Sequence, residues 1–267
     1  QAHENFKNTH FVDGYDFVSD IVNGGDGNGW DRNPDDPGDS RKSFHGTHVS
    51  GIIAATPNWE KTNSSHQAWT AGVAYKASIM PLRVLGLNGG TSYDLIQALR
   101  YAAKLPNDSG RLPSRAADVI NLSLGGPEFS ALEQAAFTEV IQSGAIVVAA
   151  AGNQGSNTID YPAAYNGVIS VGALDQSQQL SEYSNTGNHL TVVAPGGDCS
   201  NSVCTDGILG LGVNGNLSET GYDTRTSTWK RLSGTSMAAA HVSGLMAIAK
   251  SQLPGLDAQT ILSWLKA

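Results

Sequence analysis

Apolar residues along this chain follow two patterns that alternate with each other. Short continuous apolar runs predict strands at Ser78–Val84, Val119–Leu124, Ile146–Ala150, Val168–Val171 and Thr191–Ala194. Helical spacing predicts helices over Ser92–Ala103, from Ser130 to Gly144, over Ser236–Lys250 and over Ala258–Lys266. Strand and helix in repetition indicate βαβ units. The pattern therefore predicts a three-layer α/β fold, with a mostly parallel twisted sheet and helices on both faces.

Length and charge limit the number of domains and the kinds of partner that we expect. The 267 residues contain no linker, repeat or low-complexity segment, so we predict one domain over residues 1–267. The net charge of −8 argues against nucleic acid as a partner. No apolar run approaches the ~18 residues that a membrane span needs, so no membrane partner is predicted.

Two cysteines, Cys199 and Cys204, lie in a loop rich in glycine, serine and asparagine. A disulfide between them would close a small ring, and two such loop cysteines favour an oxidising compartment. Two free thiols are the alternative. We predict the disulfide, and with it a secreted, extracellular or periplasmic protein.

Two polar motifs carry the groups that serine acyl transfer requires. His45 begins the segment His-Gly-Thr-His-Val-Ser-Gly, and a neutral imidazole can take a proton from an alcohol near pH 7. Ser236 follows a glycine turn and begins an apolar helix, where unpaired N–H groups can bind an oxyanion. Alone, Ser236 would be an ordinary helix cap. His45 and His48 lie three apart on a helix as two metal ligands could, but no carboxylate or third histidine at metal-ligand spacing accompanies them.

Taken together, the motifs resemble the subtilisin family of serine endopeptidases. The resemblance rests on His45–Gly51, on Gly234–Gly244 and on the Ala-Ala-Gly-Asn segment at Ala150–Asn153, in the order of that family. It implies a subtilisin-like fold and a general base, a nucleophile and an oxyanion donor at His45, Ser236 and Asn153. One departure is Ala240, which stands where the family usually has proline.

The resemblance also implies how a polypeptide substrate binds. One backbone edge lies at Ser123, Leu124, Gly125 and Gly126, and the opposite edge includes Gly89 and Gly90. An extended peptide between two edges gains main-chain hydrogen bonds without needing a particular sequence. Small walls at Ala150, Ala151 and Gly152 predict broad specificity with a preference for apolar residues before the cut. The alternative is that both edges are only turns.

The aspartate that completes the family's triad has no match in this sequence. In the family it precedes the histidine, on an internal strand. Here His3-Glu4-Asn5-Phe6 resembles the segment that follows that aspartate, and Asp13, Asp16, Asp20 and Asp118 do not match its motif. We therefore expect a separate N-terminal fragment to supply the strand and the acid. A propeptide or a protein inhibitor is a further expected partner.

An acidic, turn-rich loop predicts a structural calcium site. Its carboxylates are hard oxygen ligands of the kind that calcium prefers, although the spacing is not that of an EF-hand. The candidate ligands are Asp26, Asp31, Asp36 and Asp39. A solvated acidic loop is the alternative.

These observations predict a secreted serine endopeptidase. Two alternatives stay open. The chain could be a pseudoprotease that binds peptides without cutting them, or a zymogen fragment inhibited by its own propeptide.

Overall fold

The computed structural model of the protein describes residues 3–38, 43–57, 70–199, 204–215 and 225–266. The chain forms two compact units that alternate along the sequence. The first unit comprises Gln1–Arg115 with Gly210–Lys230, and the second comprises Ala116–Leu209 with Arg231–Ala267. No helix within the described ranges is long and apolar enough to span a bilayer.

The first unit contains a short parallel strand pair and three α-helices. Strand β1 (Tyr15–Asp16) pairs in parallel with strand β2 (Leu82–Arg83). The unit also contains a 3-10 helix at Glu4–Phe6 and the helices α1 (Ile21–Gly24), α2 (His45–Ala54) and α3 (Ser92–Ala102). Thr91 caps α3 by accepting the Asp94 N–H, so that helix begins where the sequence predicted. The strand predicted over Ser78–Val84 was too long.

Strand β2 carries the centre of a buried ion-pair cluster. Arg83 Nη1 donates to Asp16 Oδ2 at 2.5 Å and to Asp26 Oδ2 at 2.7 Å, and Nη2 donates to the Gly24 carbonyl. The side chains of Arg83 and Asp16 are 8% and 1% exposed. Burial raises the pKa of Asp16 to about 6, and this rise is opposed by the Val18 N–H and by Arg83. The cluster fixes β1 and β2 to the start of the acidic loop.

The second unit contains a four-stranded parallel sheet. Its strands, in spatial order, are β3 (Val119–Leu122), β4 (Ile146–Ala150), β5 (Ile169–Leu174) and β6 (Val192–Pro195). Strand β4 is buried at every position, as its continuous apolar run predicts for a central parallel strand. The order along the sheet follows the order along the chain, which is what successive crossovers in one direction produce.

Helix α4 (Ala131–Gln142) begins directly after Ser130, where the sequence predicted its start. Ser130 Oγ accepts the Glu133 N–H at 3.3 Å, as in a capping box. The reciprocal bond passes through a third residue, because the hydroxyl of Tyr165 accepts the Ser130 N–H and donates to Glu133 Oε2. Gly144, with a φ of 100°, follows the helix end as predicted.

Two more strands precede the helix that carries Ser236. Strand β7 (Ile208–Asn214) pairs with β8 (Thr226–Leu232), and neither strand was predicted from the sequence. Helix α5 (Thr235–Gln252) packs its small apolar residues against β4 and β5, and α6 (Ala258–Lys266) adds Ile261 to the same core. The predicted boundaries of α5 are correct to within two residues.

Candidate active site

The parallel register of β3 and β4 places the ends of both strands at one edge of the sheet. Leu122 pairs with Ala149 near the end of both strands, so the segments that follow β3 and β4 begin side by side. Ligands of parallel α/β sheets bind at this carboxyl edge. Ser123 and the Ala151–Asn153 turn are therefore neighbours in the second unit.

Ser236 lies on the first turn of α5, close to that edge. Gly234 caps the helix with a φ of 154°, a backbone conformation that favours glycine. The Ser236 hydroxyl donates to the Ser123 carbonyl at 3.3 Å, while Ser123 Oγ donates to the Ser236 carbonyl at 2.7 Å. The long bond from Ser236 is weak, so little free energy holds its hydroxyl in this position.

Asn153 is oriented by the residue that precedes Ser236. Asn153 Oδ1 accepts the Thr235 N–H at 2.8 Å and the Thr235 hydroxyl at 2.9 Å. A backbone N–H can only donate, so the amide oxygen must face Thr235 and the amide nitrogen must face the other way. Asn153 thus presents its Nδ2 donor on the side away from Thr235, which an oxyanion donor at this position requires.

The predicted pocket walls lie beside these groups in the second unit. Ala150 and Ala151 are buried, and Gly152 has a φ of 111° and donates its N–H to Thr235 Oγ1 at 3.2 Å. On the other side, Gly126 and Tyr161 exchange two backbone hydrogen bonds of 2.8 Å. The turn after β4 and the segment after β3 are therefore held by the same 160–161 backbone, because Asp160 donates its N–H to the Ala151 carbonyl.

The predicted general base belongs to the first unit. His45 is the first residue of α2 and is partly exposed, with Phe44 in the left-handed region (φ 50°) before it. His48, one turn further along, is fully buried, and its Nε2 lies 3.3 Å from the Lys230 carbonyl. The Gly210 Cα packs on the His48 ring so closely that a Cβ there would lie 2.5 Å from Nε2. His48 is therefore a packing residue.

The second predicted substrate edge also lies in the first unit. Gly86 donates its N–H to the Gly89 carbonyl at 2.9 Å, which closes a tight turn, and Asn23 Nδ2 donates to the same carbonyl. Gly90 lies against the Val84 carbonyl, where a Cβ would come within 2.2 Å. This segment requires glycine at that position because of close backbone approach.

Three aspartates near the N-terminus already have other partners. Asp13 accepts the Ser114 N–H and hydroxyl, Asp16 pairs with Arg83, and Asp20 caps α1 by accepting the Val22 and Asn23 N–H groups. The bonds from Ser114 lower the pKa of Asp13. None of these carboxylates has a contact that indicates a role in the triad.

The candidate calcium ligands each have separate local contacts. Asp26 pairs with Arg83, Asp31 accepts Asn28 Nδ2 and the Asn33 N–H, and Asp36 accepts the Gly38 N–H. Asp39 lies outside the described residues. Among the described residues, no three histidine, cysteine or acidic side chains form a group that could hold a metal ion. One oxygen of Asp26 is buried without a hydrogen-bond partner, and calcium stays a prediction of this loop.

The predicted disulfide is present in the second unit. Cys199 and Cys204 are bonded to each other, and Gly207 packs against both sulfur atoms. Cys204 Sγ also lies 3.5 Å from the Arg231 carbonyl. Cys204 and Gly207 therefore lie next to Arg231 of β8.

Two residues at this edge of the second unit escaped the sequence analysis. The sequence presents Thr235 only as part of the serine motif, whereas in the structure it orients Asn153. Asp160 was not considered, although it is buried (8% exposed) next to Gly152 and Gly125. No local pattern could reveal either role, because both depend on contacts with residues distant in the chain.

Comparison with known proteins identifies the class to which this fold and site belong. The profile of the Subtilase family, a family of peptidases, matches residues 3–267. The chain is therefore a member of the subtilase family. This result confirms the resemblance on which the sequence analysis relied.

Individual relatives agree with this assignment. The chain is 35% identical to an extracellular protease of Xanthomonas campestris over 92% of its own length and 42% of the relative. It is 38% identical to a thermophilic serine proteinase of Bacillus sp. strain AK1, over 90% of this chain and 47% of that protein. It thus spans less than half of these two relatives. Subtilisin DY of Bacillus licheniformis is 34% identical over 94% of this chain, which covers 73% of that protein.

Solved structures confirm the predicted fold class. A protease from Pseudoalteromonas arctica PAMC 21717 superposes with a TM-score of 0.84 at 32% identity, covering 98% of this chain and 78% of that one. A cold-adapted subtilisin-like serine proteinase gives a TM-score of 0.69 at 27% identity, covering 98% and 75%. The α/β architecture with a parallel sheet is that of subtilisin-like proteases.

Proposed function

We propose that this chain is the catalytic domain of a secreted serine endopeptidase. The observation that carries the proposal is the contact between Thr235 and Asn153, which fixes the orientation of the Asn153 amide beside the helix start that carries Ser236. An arrangement of this kind is needed to stabilise an oxyanion and has no evident use in a groove that only binds peptides.

The reaction follows from the proposed roles. His45 takes the proton from Ser236 Oγ as that oxygen attacks the peptide carbonyl carbon. Asn153 Nδ2 and the Ser236 N–H donate hydrogen bonds to the resulting oxyanion. His45 then gives its proton to the leaving amine, and a water molecule, deprotonated by His45, releases the acyl group.

Substrate recognition is proposed to rely mainly on backbone. Ser123–Gly126 and the Gly89–Gly90 turn would each pair with an extended peptide, so the enzyme would accept many sequences. The small walls Ala150, Ala151 and Gly152 favour apolar side chains before the scissile bond, because apolar surface gains by leaving water.

The third member of the triad is proposed to come from a segment outside residues 1–267. In support, Asp13, Asp16 and Asp20 are engaged by Ser114, by Arg83 and by helix α1. Without an acid, the imidazolium of His45 would lose orientation and stabilisation, which lowers kcat by about 10⁴-fold in enzymes of this kind. Intact-mass analysis of the active preparation tests this, since a second polypeptide should accompany the chain.

Secretion and calcium are further parts of the proposal. The disulfide favours an oxidising compartment, and several relatives are named extracellular proteases, although intracellular ones also occur. Calcium remains a prediction of the acidic loop, and no step of the reaction is routed through it. Thermal melting with and without a chelator tests the ion.

Labelling with a fluorophosphonate tests the proposed activity. Rapid labelling of Ser236, abolished in Ser236→Ala and slowed at least 100-fold in His45→Ala, is expected, because only an activated serine reacts quickly. Ser233→Ala is a matched control, since Ser233 lies three residues before Ser236 and should leave labelling intact. Labelling that is no faster than that of denatured protein would contradict the proposal and favour a peptide-binding pseudoprotease. A co-purifying propeptide whose removal restores labelling would identify an inhibited zymogen.

A further inference from the structure

Asp160 is a buried acid that the proposed reaction does not use. It is 8% exposed and lies at the beginning of the 160–165 turn of the second unit. Its carboxylate packs against Gly152, because a Cβ on that glycine would lie 2.6 Å from Asp160 Oδ2 and 2.2 Å from Asn185 Nδ2. A Cβ on Gly125, in the opposite wall, would lie 3.5 Å from the Asp160 Cβ.

The backbone on both sides of Asp160 holds it in this position. Its N–H donates to the Ala151 carbonyl, and the next residue, Tyr161, exchanges two hydrogen bonds with Gly126. Asp160 therefore lies between the two segments that are proposed to line the pocket for the residue before the cut. Gly152 and Gly125 are the residues of the two walls that approach Asp160. Because neither has a side chain, neither covers the Asp160 carboxylate.

The charge of Asp160 lacks a counter-charge in the part of the chain that the structure describes. Among the described residues, no lysine, arginine or histidine forms an ion pair with it. Burial raises the pKa of the Asp160 carboxyl, and a hydrogen bond from the Gln154 side chain opposes that rise. A buried charge that only a neutral amide compensates is costly, and an incoming cation would relieve that cost.

We infer that Asp160 selects substrates with lysine or arginine before the scissile bond. The inference rests on the proposed function, since it concerns the same pocket. Apolar walls suit the aliphatic stem of either residue, and a carboxylate at the base suits the charged end. The pocket thus accepts apolar side chains of similar length and favours those that end in a cation. The net charge of −8 also attracts basic peptides.

Matched peptide anilides that differ only before the cleaved bond test this inference. Lysine is compared with norleucine, which has the same chain length without the charge, using kcat/KM on the active preparation. The wild-type protein should cleave the lysine substrate at least 10-fold faster, because charge-assisted hydrogen bonds to a buried carboxylate are strong. Asp160→Asn, which keeps the shape of the side chain, should bring the ratio of lysine to norleucine down to about one.

The matched control is Glu182→Gln, which removes the same charge from an exposed side chain of the same unit and should leave the ratio at its wild-type value. A wild-type ratio near one, or an equal fall in both variants, overturns the role of Asp160. The wild-type ratio decides the matter even if Asp160→Asn does not fold. Absence of both fluorophosphonate labelling and cleavage would instead overturn the proposed function itself, and the inference with it.

Discussion

Thr235 holds the side-chain amide of Asn153 through two hydrogen bonds to the same oxygen, one from its backbone N–H and one from its hydroxyl. The same hydroxyl accepts the Gly152 N–H. Thr235 is thus the residue that joins the turn after β4 to the helix start that carries Ser236. Thr235 therefore does more than begin helix α5, because it also orients Asn153 and accepts a hydrogen bond from Gly152.

Removing the hydroxyl should therefore affect turnover more than binding. Thr235→Val keeps the shape and the N–H but loses the second bond to Asn153, so we expect kcat to fall about 10-fold with little change in KM. Thr235→Ser retains the hydroxyl and serves as the control. In a double-mutant cycle with Asn153→Ala, the effect of Thr235→Val should largely disappear. Unchanged kcat in Thr235→Val would contradict the positioning role.

Loss of the Arg83 guanidinium should destabilise the first unit. Arg83→Met leaves two carboxylates, those of Asp16 and Asp26, buried without their cation, and this costs about 3–5 kcal/mol. Arg111→Met makes the same charge change at an exposed position and should cost at most about 0.5 kcal/mol. Urea unfolding measures both. Equal midpoints for the two variants would mean that the cluster contributes no net stability.

His241 should make the protein less stable in mild acid. Burial lowers the pKa of this imidazole, although its bond to the Met237 carbonyl opposes the effect. As the pH falls through about 6.5, the unfolded chain binds a proton that the folded chain does not, so the free energy of unfolding decreases. The slope from one such group is at most about 1.4 kcal/mol per pH unit. His241→Gln should flatten the decline between pH 7.5 and 5.5, and an unchanged profile would contradict this assignment.

The disulfide should stabilise the folded chain. Opening the small ring between Cys199 and Cys204 returns conformational freedom to the unfolded state, worth about 2 kcal/mol. A reductant should lower the urea midpoint of the wild-type protein, and should have no effect on the double variant Cys199→Ser/Cys204→Ser. A midpoint that does not respond to reduction would mean that the bond adds nothing to stability.

The parts of the fold that the sequence predicted well are those whose signals are local. The buried run Ile146–Ala150 and the starts of α3 and α4 lie where expected, because each depends on neighbouring residues. Strand β7 was missed because Gly210 and Gly212 interrupt its apolar pattern. Those glycines serve the tertiary structure, since they leave room for the His48 ring and the Lys230 stem.

The residues of the candidate site also fall into those that local motifs reveal and those whose roles depend on distant contacts. Ser236, His45 and Asn153 could be selected because their motifs are contiguous in sequence. Thr235 acts through a residue 82 positions away, and the position of Asp160 behind Gly152 depends on the path of the chain after β4. When a side chain is oriented by a residue far away in the sequence, no local pattern of residues indicates that contact.

The hydroxyl of Tyr165 fastens the first turn of α4 to the loop that begins at Asp160. Burial raises the pKa of Tyr165, so its hydroxyl keeps its proton in mild base and can go on donating to Glu133 Oε2. Loss of the Tyr165 hydroxyl would therefore remove the two hydrogen bonds, to the Ser130 N–H and to the Glu133 carboxylate, that join the start of α4 to this loop.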